Sequence, residues 1–150
     1  MANVKVGGKG SYDNGAYLEK LDSDRDLTPG DSGRIFLIAN TGAISINLPD
    51  VSSMSSQEKE SFIGWNAKFI VQSISGGTAT IGCSSGDGNL LWGNIVGADG
   101  GTDSNTSDAV KDDISITTNC VAGDTCSILY DGTYYYVHGQ TADNDHITVG

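Results

Sequence analysis

Gly30-Asp31-Ser32-Gly33 is the residue pattern around the nucleophile of chymotrypsin-like proteases, in which the serine attacks a carbonyl and backbone amides hold the oxyanion. Three features oppose that chemistry: Arg34 follows where a glycine is needed, His138 and His146 both come after the serine, and 150 residues are too few for the double barrel. Asp31 and Ser32 read instead as a turn entering a strand. Asp22, Asp24 and Asp26 have the alternate spacing that opens an EF-hand loop. Leu27 stands where that loop needs glycine and Gly33 where it needs the bidentate glutamate, so a solvated acidic turn is expected. Asp99, Asp103 and Asp108 form a looser cluster in a glycine-rich loop, and Asp143, Asn144, Asp145 and His146 carry chelating atoms in what reads as a polar C-terminal tail. Cys83, Cys120 and Cys126 are odd in number and lack a C-x-x-C pair, which argues against a disulfide framework or a zinc site. Buried thiols are expected, with a Cys120–Cys126 bridge across the intervening turn as the alternative. No phosphate-binding loop, nucleotide fingerprint, histidine pair or activated cysteine is present, so no catalytic residue, metal or cofactor is expected.

Charge narrows the partners. Eight Lys and Arg stand against 19 Asp and Glu, a formal net charge of −11, so phosphate backbones and anionic membrane surfaces are repelled and neither nucleic acid nor membrane is an expected partner. No apolar run approaches the ~20 residues of a membrane helix, and Met1 to Gly10 lacks the apolar segment of a secretion signal, which points to synthesis in a cytoplasm.

The elements that must position these residues are short. With 21 glycines and hydrophobic residues at 37%, the chain favours strands and turns over long helices. Residues 1–26 are glycine-rich and without period, and read as an extended arm on a β-domain of residues 27–150. Arg34 to Ala39 and Ile44 to Leu48, separated by Asn40-Thr41-Gly42, predict a hairpin that Pro49 ends. Ser55 three residues ahead of Glu58 is a capping-box spacing and predicts one short helix within Ser52 to Phe62. Further hairpins are expected for Lys68 to Ile74 with Thr78 to Cys83, across Gly76-Gly77, and for Cys126 to Tyr130 with Thr133 to His138, across Asp131-Gly132. Between them, Gly86 to Asp113 holds six aspartates against Lys111 and reads as a surface excursion with a short strand near Leu90 to Ile95; Ile114 to Thr117 then resumes alternation. The expected fold is all-β: a compact β-sandwich, jelly roll or small barrel of about seven or eight short strands. Along Tyr134-Tyr135-Tyr136, Tyr134 and Tyr136 share one face and Tyr135 takes the other. With Tyr12, Tyr17, Trp65 and Trp92, any exposed aromatic supplies a sugar platform or a subunit contact, although packing is the commoner use.

The run from Asp26 to Ile38 followed by Ile44-Ser45-Ile46-Asn47-Leu48-Pro49, and later Lys68-Phe69-Ile70-Val71, Ala79-Thr80-Ile81-Gly82 and Asp124 to Gly139, resembles small structural β-domains of tailed bacteriophages. The resemblance spans roughly Leu27 to Gln140 and brings no catalytic residue with it. It implies a virion protein, commonly a homotrimer, most simply a decoration protein on the outer capsid surface that stabilises the lattice of the major capsid protein. The alternative it implies is a head or tail fibre component that binds a host surface glycan. In that frame the arm is the expected capsid or subunit contact, through Val4, Lys5, Val6, Lys9, Tyr12, Tyr17 and Leu18, with the basic Lys20 beside them. The runs Arg34 to Ala39 and Tyr134 to Val137 offer more apolar surface than a thin sandwich hides, which also predicts self-association.

Overall fold

A computed structural model describes residues 17–84, 88, 90–99 and 111–150. Among them run eleven strands: β1 (Leu18–Leu21), β2 (Arg25–Asp26), β3 (Arg34–Asn40), β4 (Ile44–Asn47), β5 (Asn66–Ile74), β6 (Ala79–Gly82), β7 (Leu91–Gly97), β8 (Asp113–Ile116), β9 (Thr125–Tyr130), β10 (Tyr135–Thr141) and β11 (Ile147–Val149). They form two sheets, one ordered β1-β3-β5-β9-β10-β7 and the other β11-β8-β6-β4-β2. The chain is an all-β sandwich with one short helix, α1 (Ser56–Phe62).

Strand count exceeds the expected seven or eight because β1, β2 and β11 have two to four residues each, too few to show a period. Two of them correct the expected domain boundary. β1 pairs in parallel with β3 (Leu18 opposite Ile35) and β2 with β4 (Arg25 opposite Ile46), so the sandwich already includes residues 18–26. Of the expected arm, residues 1–16 lie outside the described residues.

Two expected hairpins are also corrected. β3 and β4 lie in different sheets, as do β5 and β6. The first six strands instead alternate between the sheets, so that β1, β3 and β5 run parallel in one and β2, β4 and β6 run parallel in the other. Among the described residues the result is a coil of three rungs. Each rung crosses the ~10 Å between packed sheets and then stacks on the rung before it. Crossing lets both strands of a rung turn their apolar alternation inward, which a hairpin confined to one sheet does only on one side of the core.

The crossings are held by polar bonds along the stack. Buried Asn40 donates through Nδ2 to Gly42 O (2.6 Å) and to Gly77 O (3.0 Å), while the amides of Ser75 and Ile44 donate to Asn40 O and Thr78 O. The crossings approach so closely that a Cβ on Gly77 would lie 2.2 Å from Ala43 N, which leaves glycine as the fitting residue. Asp24 extends the stack by accepting the Ser45 amide at 2.9 Å.

After the coil the pairing becomes largely antiparallel: β9 with both β5 and β10, and β8 with both β6 and β11. β9 and β10 form the third expected hairpin. Its loop is longer than the two residues expected, because the ladder closes at Tyr130 opposite Tyr135 and Asp131 N donates to Tyr134 O (3.1 Å). The strand expected near Leu90 is β7, lying parallel to β10.

The core lies between the sheets. Phe36 stacks on Phe69 with centroids 5.3 Å apart, and Ile46, Ile81, Ile114 and Ile116 face them from the other sheet. Full burial of each such side chain is worth roughly 1.5–3 kcal/mol. α1 closes one end by inserting Phe62 among Trp65, Tyr130 and Tyr135. It starts as its sequence requires: Ser55 Oγ accepts the Glu58 amide (3.3 Å), and the Glu58 carboxylate accepts the Ser55 amide (3.2 Å) and hydroxyl (2.7 Å). Those bonds hold the Glu58 carboxyl below its ordinary pKa.

Candidate functional site

Residues singled out for chemistry are mostly engaged in holding the fold. Asp31 is buried at the end of the 3-10 turn Pro29–Asp31, where Oδ2 accepts the Thr28 amide (2.8 Å) and hydroxyl (3.1 Å). Its Oδ1 meets Arg25 Nη2 (2.9 Å) and Arg34 Nε (3.2 Å), and Glu19 joins the same two guanidiniums. Glu19 comes from β1, Arg25 from β2 and Arg34 from β3, so the ion network ties these three strands to the 3-10 turn that carries Asp31. Ser32 Oγ accepts the Asn66 amide (3.3 Å), tying the turn to β5. No proton-accepting side chain is brought to that hydroxyl by any of these bonds.

Asp24 and Asp26 are likewise stitches. Asp26 Oδ1 accepts Asn47 Nδ2 at 2.7 Å, across the β2–β4 pair, and Asp22 is exposed. Of the second aspartate cluster only Asp99 is described; Asp103 and Asp108 lie outside the described residues.

The expected polar tail is corrected: residues 142–146 form a tight turn and β11 follows, with Ile147 and Val149 buried opposite Ile116 and Ile114. Three residues fix the alternation, and pairing with β8 decides the rest. In that turn Asp143, Asp145 and His146 bring one potential ligand atom each to within 4.8 Å of one another, the group among the described residues best suited to a divalent cation. His146 is buried, with Nδ1 2.6 Å from Asp124 Oδ2, the carboxylate support that often orients a ligating imidazole. Much of the group is occupied by the fold. Asp145 Oδ2 accepts Asn119 Nδ2 (3.0 Å), and Asp124 also accepts the amides of Val121 (2.9 Å) and Ala142 (2.8 Å).

None of the three cysteines is in a disulfide. Cys120 and Cys126 are buried, and desolvation pushes both thiols up to about 12.

The aromatic residues divide cleanly. Trp65 and Tyr135 are core; Trp65 Nε1 donates to Thr28 O (3.1 Å) and the Tyr135 hydroxyl to Pro49 O (2.9 Å). Trp92 packs edge-on to Tyr134 (6.2 Å), and Tyr136 is exposed, as the alternation requires. Of the expected contact residues, Val4, Lys5, Val6, Lys9 and Tyr12 lie outside the described residues, whereas Tyr17 and Leu18 are exposed at the start of β1. A groove of about 420 Å³ runs between α1 and the 3-10 turn, lined by Pro29, Met54, Gln57, Ile63 and Trp65 among others. Its carboxylate, Glu58, is committed to the helix cap.

The surface that the residue-by-residue reading overlooks is the outer face of the six-stranded sheet. The ladders place Leu18, Lys20, Ile35, Leu37, Asn66, Lys68, Ile70, Thr125, Ser127, Leu129, Tyr136, His138, Gln140, Trp92, Asn94 and Val96 on it. No acidic residue is among them. The opposite outer face, on the five-stranded sheet, presents Asp26, Ser45, Asn47, Thr80, Asp113, Ser115 and Thr148, small polar and acidic side chains with no large apolar one. Period-2 alternation gives each strand's outward residues, but only the register collects them into faces. Comparison of the chain with protein-family models and with curated proteins gives no match.

Proposed function

We propose that this protein is a non-catalytic structural component of a phage virion, a decoration protein that binds the outer surface of the major capsid protein lattice and reinforces it. The observation that carries this reading is the contrast between the two sheet faces: in a chain of charge −11, one broad face has no carboxylate among the described residues and is rich in large apolar side chains. Such a face lowers its free energy by being covered with protein. The resemblance to small tailed-phage β-domains supplies the kind of assembly in which this happens. The engagement of Asp24, Asp26, Asp31, Asp124 and Glu58 in fold-holding bonds supports a scaffold over an enzyme.

Mass spectrometry of purified particles tests the proposal. Hundreds of copies per particle are expected; a few copies favour a fibre, and absence from particles overturns the virion role. The fibre reading draws on Trp92, Tyr134 and Tyr136, which gather aromatic surface at one end of the sheet and suit sugar stacking. A glycan array without hits removes that second reading.

A further inference from the structure

We propose that the outer face of the six-stranded sheet is a self-association surface, which buries against the same face of a second copy about a twofold axis. Seven large hydrophobic side chains are exposed among the described residues, and four of them lie on this face: Leu18 (52% exposed), Leu129 (48%), Val96 (47%) and Tyr136 (45%). Ile35, Leu37, Ile70 and Trp92 fill the space between them, half-buried. None of the seven lies on the outer face of the other sheet.

Charge selects the occupant. Two copies of a chain at −11 repel, and they meet only through a surface from which acidic groups are missing. A cationic partner would call for carboxylates here, and among the described residues the face has none; Asp131 hydrogen-bonds the Tyr136 side chain at its rim. A strongly acidic partner would call for a basic field, and the face carries Lys20 and Lys68 with His138, among apolar neighbours. Long lysine stems reach the rim of a contact while their methylenes pack inside it, so two lysines per copy are compatible with self-contact.

Shape selects the symmetry. The face is one open sheet, and a broad, open surface is covered most fully by one partner laid across it, which for identical chains means an isologous twofold pair. Six strands spaced ~4.8 Å apart and three rows of outward side chains ~6.8 Å apart give on the order of 500 Å² per copy. The pair then removes roughly 1,000 Å² from water, about the least that a specific interface buries. This inference draws on the same face as the virion proposal and is tested on the isolated chain.

Sedimentation of the purified full chain over a concentration series tests it, at low and high salt. A dimer is expected that tightens as salt rises, because screening relieves repulsion between two anionic copies. Leu129→Glu, at a half-exposed position, is expected to weaken the dimer at least tenfold with an unchanged circular dichroism spectrum, while Thr80→Glu on the opposite face leaves it intact. A monomer at several hundred micromolar, a trimer, or a dimer indifferent to Leu129→Glu but broken by Thr80→Glu overturns the proposal. A monomer that binds capsids through Leu129 also overturns it, and assigns the face to the lattice. Absence of the protein from particles would leave the sedimentation result standing, so the two readings fail separately.

Discussion

Asp131 shows how much one side chain can hold. Its Oδ1 accepts the amides of Tyr134 and Thr133, each at 2.8 Å, and these bonds keep its carboxyl below the ordinary carboxylate range. A folded-state pKa below the unfolded one means that the unfolded chain takes up the proton first as pH falls. The contribution is therefore complete above about pH 4, the unfolded value, and is lost as pH drops through the folded value. Asp131→Asn is expected to flatten the loss of stability below about pH 4 in urea titrations; an unchanged slope would assign acid sensitivity elsewhere. The thiols give a second prediction at this scale. With Cys120 and Cys126 pushed up to about 12 by burial, thiolate at pH 8 is negligible at both. Thiol titration of the native protein is expected to find at most Cys83, the least buried of the three, and the denatured chain to give all three without reductant. Fewer than three after denaturation would show a Cys120–Cys126 bridge.

Asn40 belongs to the scale of elements, because its amide ties the β3–β4 crossing to the β5–β6 crossing stacked on it. Replacing it by alanine removes two donors and leaves the Gly42 and Gly77 carbonyls without them, at a cost of about 2–3 kcal/mol in unfolding free energy. Chemical denaturation checks this, and a change below about 0.5 kcal/mol would mean that water replaces the amide. The capping box of α1 and the β9–β10 hairpin were legible in the sequence because both are closed by residues three to five apart. The turns at Asn40-Thr41-Gly42 and Gly76-Gly77 were legible as turns and misleading as hairpins. A reversal needs the same small residues whether the chain returns beside itself or crosses to the facing sheet. Gly93 is a further case: a Cβ there would lie 1.9 Å from Val137 O, at a φ of +145°, so its role depends on β10 lying alongside.

The whole molecule begins earlier than its composition indicates. A chain starting at Leu27 lacks β1 and β2, bares the edges of β3 and β4, and removes Glu19 and Arg25 from the network around Asp31. It is expected to melt well below the full chain and to aggregate through those edges, whereas a chain starting at Tyr17 keeps every described strand. Thermal unfolding monitored by light scattering distinguishes them, and equal midpoints would show that the first rung adds little.

Composition and local pattern were enough to determine an acidic, all-β chain with one capped helix, and to place most of the longer strands, because alternation and turn chemistry are written in adjacent residues. They also set Tyr135 and Tyr136 on opposite faces, while which of the two is buried was left to the packing. Which strands pair, which crossings span the core, and which outward residues share a face were decided only by tertiary structure. Asp124 and His146 are 22 residues apart in sequence and 2.6 Å apart in space. Leu18, Ile35 and Lys68 come from three rungs and lie side by side. Register is a property of two strands at once, fixed by the burial of both apolar faces together, and no single stretch of sequence contains it.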